Sequence, residues 1–362
     1  MNTKTILLSL FFSAIFILSG CMPDDPGPVT PPDINESHSG LFIVNEGIFM
    51  YENASLSYLD FETDSVMNNV FYDVNNIPLG DVAQSMVIMD STGFIVVNNS
   101  GKVYAINTNT FEVVGKITGL TSPRYMHFVS KTKAYITDIY AKSIAIVNPS
   151  TYEITGHIDV DNHESQYYQH STEQMVQYKN FVFTNCWSYD NKILVIDTET
   201  DRLVDSIEVL KQPTSLVIDK NSQIWTITDG GFNGSPYGYE EPGLIKINPE
   251  TRTAEIVYRF ELDDSPSELK INGSGDTVYF LNRNVYRFAI DNPSDIQLFA
   301  ENNSSSSYNG FYGLAVDPQT SSVYVSDGLN MIKNGIVYKY SPSGELLKSY
   351  KVGLIPGEFC FK

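Results

Sequence analysis

The chain has 362 residues, 42% of them hydrophobic and 12% aromatic, which is enough for a large core and leans towards β structure. Its 43 acidic side chains outnumber 23 basic ones and leave a net charge of −20. That balance speaks against nucleic acid or an anionic lipid surface as the main partner, because a polyanion would be repelled.

Residues 1–20 read as an address: Lys4 supplies a positive start, and Ile6 to Leu18 an apolar run too short to span a bilayer. The run ends in Leu18-Ser19-Gly20-Cys21, which resembles a bacterial lipoprotein lipobox. The resemblance implies cleavage before Cys21 and lipid on its thiol and new amino group, and multiple acyl chains give stable anchoring. A plain secretory signal with a chance cysteine stays open. Residues 21–39 then form a Pro-rich tether whose acidic pair, Asp24-Asp25, resembles the surface-export signal of Bacteroidetes lipoproteins. The implied location is the outer membrane, lipid-anchored and facing the exterior.

From residue 40 the pattern is short apolar strands, with no helical period. Pro123 to Val160 shows the unit: Arg124–Val129, Ala134–Thr137, Ser143–Asn148 and Thr151–Val160, the last two joined by Asn148-Pro149-Ser150-Thr151. One such meander buries too little to stand alone. The turn recurs from Asp60, Asn107, Asp197 and Asn248, and more weakly from Asp291 and Ser341, at spacings of 41 to 51 residues. Asp or Asn caps the turn through its side chain and Pro fits the second position. Seven copies at that spacing predict an all-β, seven-bladed propeller of four-stranded antiparallel blades over residues 40–362.

Inner strands are predicted at Gln84–Met89, Arg124–Val129, Gln174–Tyr178, Thr214–Ile218, Ser267–Ile271 and Gly313–Val316. The first blade lacks one, and Pro356 to Phe361 matches Pro213–Ile218 in pattern, so the C-terminal strand is expected to complete the N-terminal blade and close the ring. Cys186 and Cys360 then fall in blades on opposite sides of the ring and are expected as buried free thiols.

The Pro-x-x-apolar inner strand followed by "AYIT" and "SIAIVNPST" resembles the YncE-like family of seven-bladed propellers from about Leu41 to the end. With the lipobox, the acidic pair, "LFIVNEG", "NCWSYDNKILVIDT" and "GLAVDPQTSSVYVSDG", the pattern is most similar to the BtuG-type surface lipoproteins of Bacteroidetes. That resemblance implies a non-enzymatic protein that binds cobalamin or related corrinoids and hands them to a TonB-dependent outer-membrane transporter. It implies no catalytic cofactor.

In this fold the loops from strand two to three, and from strand four to the next blade, share one face. Here they are long and aromatic, which is where binding usually sits. The candidates are Phe49, Tyr51, Tyr140, Trp187, Tyr189, Phe232, Tyr237 and Tyr239, with Tyr167, Tyr168 and Tyr312. Tyr and Trp suit a bulky amphipathic ligand, although any one of them could simply pack under its own loop. The inner strands place Gln84, Arg124, Glu173, Thr214, Ser267, Tyr312 and Gly357 at the channel mouth. Arg124 could grip an anionic group bidentately or pair with Asp138 or Glu173. Asp138, Asp229 and Asp327 recur after strand two and could accept from corrin amides or only cap turns.

Among the histidines, His157, His163 and His170 lack a zinc-site spacing and are expected at the surface. There is no nucleophile elbow, phosphate loop or dinucleotide fingerprint. Two alternatives stay open: a glycan-binding lipoprotein stacking sugars on Trp187 and the tyrosines, and a propeller lactonase or hydrolase with Ca²⁺ on Glu173 and Asp229.

Overall fold

Seven four-stranded antiparallel sheets carry the chain around a ring in the computed structural model, which describes residues 40–162, 170–304, 307 and 310–362. The signal, Cys21, the tether, His163, Tyr167 and Tyr168 lie outside the described residues. Blade three is the sequence template almost unchanged: Pro123–Ser130, Lys133–Asp138, Ser143–Asn148 and Glu153–Asp159. The other inner strands are Ala83–Met89, Thr172–Tyr178, Pro213–Ile218, Ser267–Ile271 and Leu314–Val316. Blade one holds Gly40–Asn45, Ser55–Asp60 and Ser65–Met67, and its inner strand is Pro356–Phe361, paired antiparallel with Gly40–Asn45. The expected closure is therefore present. Among the described residues no helix is long and apolar enough to cross a membrane.

The second strand of each blade is buried on both faces, which is why it reads as an unbroken apolar run rather than an alternation. Its side chains still alternate between two seams. Phe94 and Val96 pack towards Ala134 and Ile136 of blade three, while Ile95 and Val97 pack towards Phe42 and Val44 of blade one. Seven such clusters occupy the seven seams, so the core is a ring of wedges rather than one central mass. Bonds between side chains and backbone stitch each blade to the next blade's inner strand: Asn98 Nδ2 to Pro123 O at 3.1 Å, Asn185 Nδ2 to Pro213 O at 2.6 Å, and Leu269 N to Ser215 Oγ at 2.9 Å.

The repeated turn behaves as its chemistry predicts. Asp60, Asn107, Asn148, Asp197 and Asn248 each accept through Oδ1 from the backbone N–H two residues on, at 2.8 to 2.9 Å. The turn is one residue longer than expected, because Asp64, Phe111, Tyr152, Asp201 and Arg252 take left-handed φ of 51° to 62°. That moves the start of the fourth strand from the predicted Thr151 to Glu153. The expectation of no helix also fails locally. Val70–Asn75 forms a short helix after the first blade, burying Val70 and Phe71. Six residues are too few to show a helical period. Cys186 and Cys360 are both free, the first buried and the second half-buried.

Candidate functional site

The loop face opens into a cavity of about 630 Å³ at the channel mouth. All seven residues expected there line it: Gln84, Arg124, Glu173, Thr214, Ser267, Tyr312 and Gly357. Bulges explain their aim. Ladder registers shift between Ala83 and Ser85, Pro123 and Met126, Thr172 and Met175, Pro213 and Ser215, and Ser267 and Lys270, leaving Gln84, Arg124, Glu173, Thr214 and Glu268 among the unpaired residues. An extra residue bends the strand and re-aims its side chain, here into the channel. Glu268 also takes a left-handed φ of 57°.

Six carboxyls and two arginines line the cavity, so it carries excess negative charge. Arg124 Nε donates to Glu173 Oε1 and Oε2 at 2.8 and 2.9 Å, and its guanidinium also donates to Gln84 Oε1. Of the two readings for Arg124, the ion pair is the one present. Lys270 Nζ lies 3.2 Å from both Glu268 Oε2 and Glu358 Oε1. Tyr312 Oη donates to Glu46 at 3.0 Å. Burial raises the pKa of Glu173 and of Glu268 against the pull of Arg124 and Lys270. Burial also lifts that of Asp229, although Trp187 Nε1 at 3.0 Å, Gly231 N and Gln212 Nε2 donate to it.

Glu46 is a cavity carboxyl whose titration reaches the neutral range. Burial pushes its carboxyl from 4.5 up to about 7, against the Tyr312 hydrogen bond and the charge of Arg124. A raised folded-state pKa means that the native protein holds the proton more tightly, so stability is lost as pH rises from 4.5 through 7. For a half-buried group this is on the order of 1–3 kcal/mol. Glu46→Gln keeps an acceptor for Tyr312 and is expected to remove that part of the pH slope. Urea unfolding at pH 5 and pH 8 checks it, and equal slopes in variant and parent would contradict the burial argument.

The loop aromatics divide into four groups. Trp187 and Tyr312 line the cavity. Tyr189 packs against Tyr237 and Phe232, with ring centroids 5.0 and 6.1 Å apart, beside a second cavity of about 170 Å³. Phe49, Tyr51 and Tyr140 lie away from both linings, each more than half exposed. Tyr239 is spent on a neighbouring loop, donating to Leu262 O in the connection from blade five to blade six.

All three acids after strand two cap turns, and of them only Asp229 also lines the cavity. Asp138 is buried and accepts from the backbone N–H of Thr121, Ser122, Tyr140 and Ala141 at 2.7 to 3.1 Å. Asp327 is fully buried and accepts from Leu329 N and Asn302 Nδ2. His170, expected at the surface, is largely buried with Nδ1 2.7 Å from Asp190 Oδ2; His157 is exposed as expected. Glu46, Glu268, Lys270 and Glu358 escaped sequence reasoning. Only a shift of one residue past the expected Ser267 and Gly357 could have pointed to Glu268 and Glu358.

The family model for a domain of unknown function, DUF5074, matches residues 39–357. No curated protein matches the chain. Among solved structures, it is similar to a quinonprotein alcohol dehydrogenase-like protein from Bacteroides thetaiotaomicron, with TM-score 0.67, 14% identity, and 90% and 79% of the two chains covered. A periplasmic gluconolactonase from Pseudomonas aeruginosa aligns with TM-score 0.65, 14% identity, and 90% and 99% covered. Apo AztD from Citrobacter koseri gives TM-score 0.54, 11% identity, and 90% and 98% covered. At these identities the likeness is one of fold.

Proposed function

The chain belongs to the DUF5074 family, and from that premise we propose that this member is a lipid-anchored outer-membrane protein that binds cobalamin or a related corrinoid. It would then pass the ligand to a TonB-dependent transporter. The observation that carries the reading is the acidic cavity at the channel mouth, with six carboxyls inside it. A corrinoid is fringed with primary amides, whose N–H groups need acceptors, and its large apolar faces suit Tyr and Trp. The cavity is of ordinary ligand-pocket size. A corrin ring would lie across the mouth and direct amide arms inward. Trp187, held by Asp229 at 3.0 Å, offers a fixed indole there.

Binding is favoured over catalysis because the acids with candidate catalytic roles already have strong donors. Glu173 is taken by Arg124, and Asp229 by Trp187, Gln212 and Gly231. A Ca²⁺-dependent hydrolase would have to break these contacts first.

Isothermal titration of the full chain with cyanocobalamin is the test. One-to-one binding is expected, and Trp187→Ala is expected to weaken it by about thirtyfold, the effect of losing a central aromatic anchor of about 2 kcal/mol. No heat and no co-elution would sink the corrinoid reading. Oligosaccharide binding abolished by the same variant would replace it with a glycan reading.

A further inference from the structure

On the loop-side rim of blade four, His170, Cys186 and Asp190 converge. One ligand atom from each lies within 4.8 Å of the other two, and among the described residues this is the only group of three His, Cys, Asp or Glu that does so. We propose that these three side chains form a binding site for a divalent cation of the zinc class, separate from the channel cavity. The site stands or falls independently of the corrinoid reading.

The donor set carries the choice of ion. One imidazole nitrogen, one sulfur and one carboxylate oxygen are ligands that borderline-soft Zn²⁺ accepts in tetrahedral geometry, leaving a fourth position for water or a bound group. Ca²⁺ and Mg²⁺ call for oxygen ligands throughout. Two tetrahedral ligands at about 2.1 Å from an ion sit roughly 3.4 Å apart. His170 Nδ1 and Asp190 Oδ2, now 2.7 Å apart, would separate by less than an ångström.

The backbone holds the three donors in place. Trp187 N donates to Ser171 O at 3.0 Å, and Gln212 N to Asp190 O at 2.8 Å. Ser171 Oγ donates to Ser188 O at 3.0 Å. Asn191 N takes Asp190 Oδ1 at 2.7 Å, which leaves Oδ2 facing His170. His170 itself adopts a left-handed φ of 43°. The His170 and Asp190 side chains are 14% and 12% exposed and Cys186 is fully buried, so water competes little for the ion. Asp190 also borders the cavity of about 170 Å³, with Lys211 in the same lining.

The test strips the full chain with a chelator, titrates Zn²⁺ in competition with a chromophoric chelator, and records the absorption spectrum with Co²⁺. One equivalent of tight binding is expected, with a sulfur-to-cobalt charge-transfer band and the intense visible bands of a tetrahedral site. Cys186→Ser should abolish the charge-transfer band. His170→Asn should weaken binding by more than the 10–100-fold that outer-shell changes already cost. Cys360→Ser should change neither. If Cys186→Ser fails to fold by thermal melting, His170→Asn and Asp190→Asn decide by the same titration. No binding, several weak equivalents, or a Co²⁺ spectrum indifferent to the Cys186 and His170 changes would overturn the site and leave a His–Asp pair beside a buried thiol.

Discussion

Removing residues 356–362 is expected to abolish the folded ring. These residues are the inner strand of blade one, with Phe359 opposite Ile43 and Phe361 opposite Leu41. Phe359 is buried in the seam between blades seven and one with Leu41, Ile43, Tyr324 and Val352. Pro356 O accepts from Ser326 Oγ of blade seven, and Lys362 N donates to Gly40 O at 2.9 Å. Truncation would bare the backbone edge of Gly40–Asn45, whose six residues are buried, and such an edge invites pairing with other chains. Phe359→Ala alone should cost about 3–5 kcal/mol, a large part of the roughly 5–15 kcal/mol that holds a typical domain folded. Size-exclusion chromatography and near-ultraviolet circular dichroism check the truncation, and denaturant unfolding checks the point variant. A soluble truncated monomer with native-like spectra would show that the closure is dispensable.

The architecture was legible because its signal is chemical as well as periodic. An Asx cap closes the turn from strand three to strand four in five of the seven blades, and those caps with the weaker turns from Asp291 and Ser341 mark one unit per blade, so the ring follows from counting. The channel-mouth residues were legible for the same reason: each opens an inner strand. What the chain does not display is curvature. Glu46 in blade one, Glu268 in blade six and Glu358 at the end of the chain meet around one cavity only because seven wedges close a circle. Acids after strand two could not be sorted in advance, since a carboxylate capping backbone N–H groups and one awaiting a ligand have the same sequence context. Asp138 and Asp327 cap, while Asp229 caps and also lines the cavity. His170 is expected at the surface but is largely buried, because its hydrogen-bond partner Asp190 lies 20 residues away across a hairpin and no local pattern announces it.

Replacing Arg124 by Met is expected to destabilise the fold by about 3–5 kcal/mol near pH 8, the cost of leaving a buried carboxylate without its partner. Glu173 is 3% exposed and Arg124 18%. The guanidinium joins three blades, reaching Gln84 in the second and Glu173 in the fourth, while Ser85 Oγ donates to the Arg124 carbonyl at 2.6 Å. The pH dependence separates charge from packing. Burial already raises the Glu173 pKa with Arg124 opposing it, and removing Arg124 raises it further. A raised folded-state value favours the native protein at low pH, so the cost should shrink as pH falls towards 5 and Glu173 protonates. A pure packing loss would be the same at both pH values. Arg124→Met with Glu173→Leu should recover most of the stability, because an apolar pair of similar volume often equals or betters a buried ion pair. Arg124→Lys should fall between, since a single ammonium cannot reproduce the two-point fork. The double variant also isolates the role in binding. If it folds and still takes cyanocobalamin with parental affinity, the Arg124–Glu173 pair is scaffold alone. If it folds and does not, the pair belongs to the ligand surface, and because Arg124 is already neutralised by Glu173, the ligand it meets is recognised by hydrogen bonding rather than as an anion.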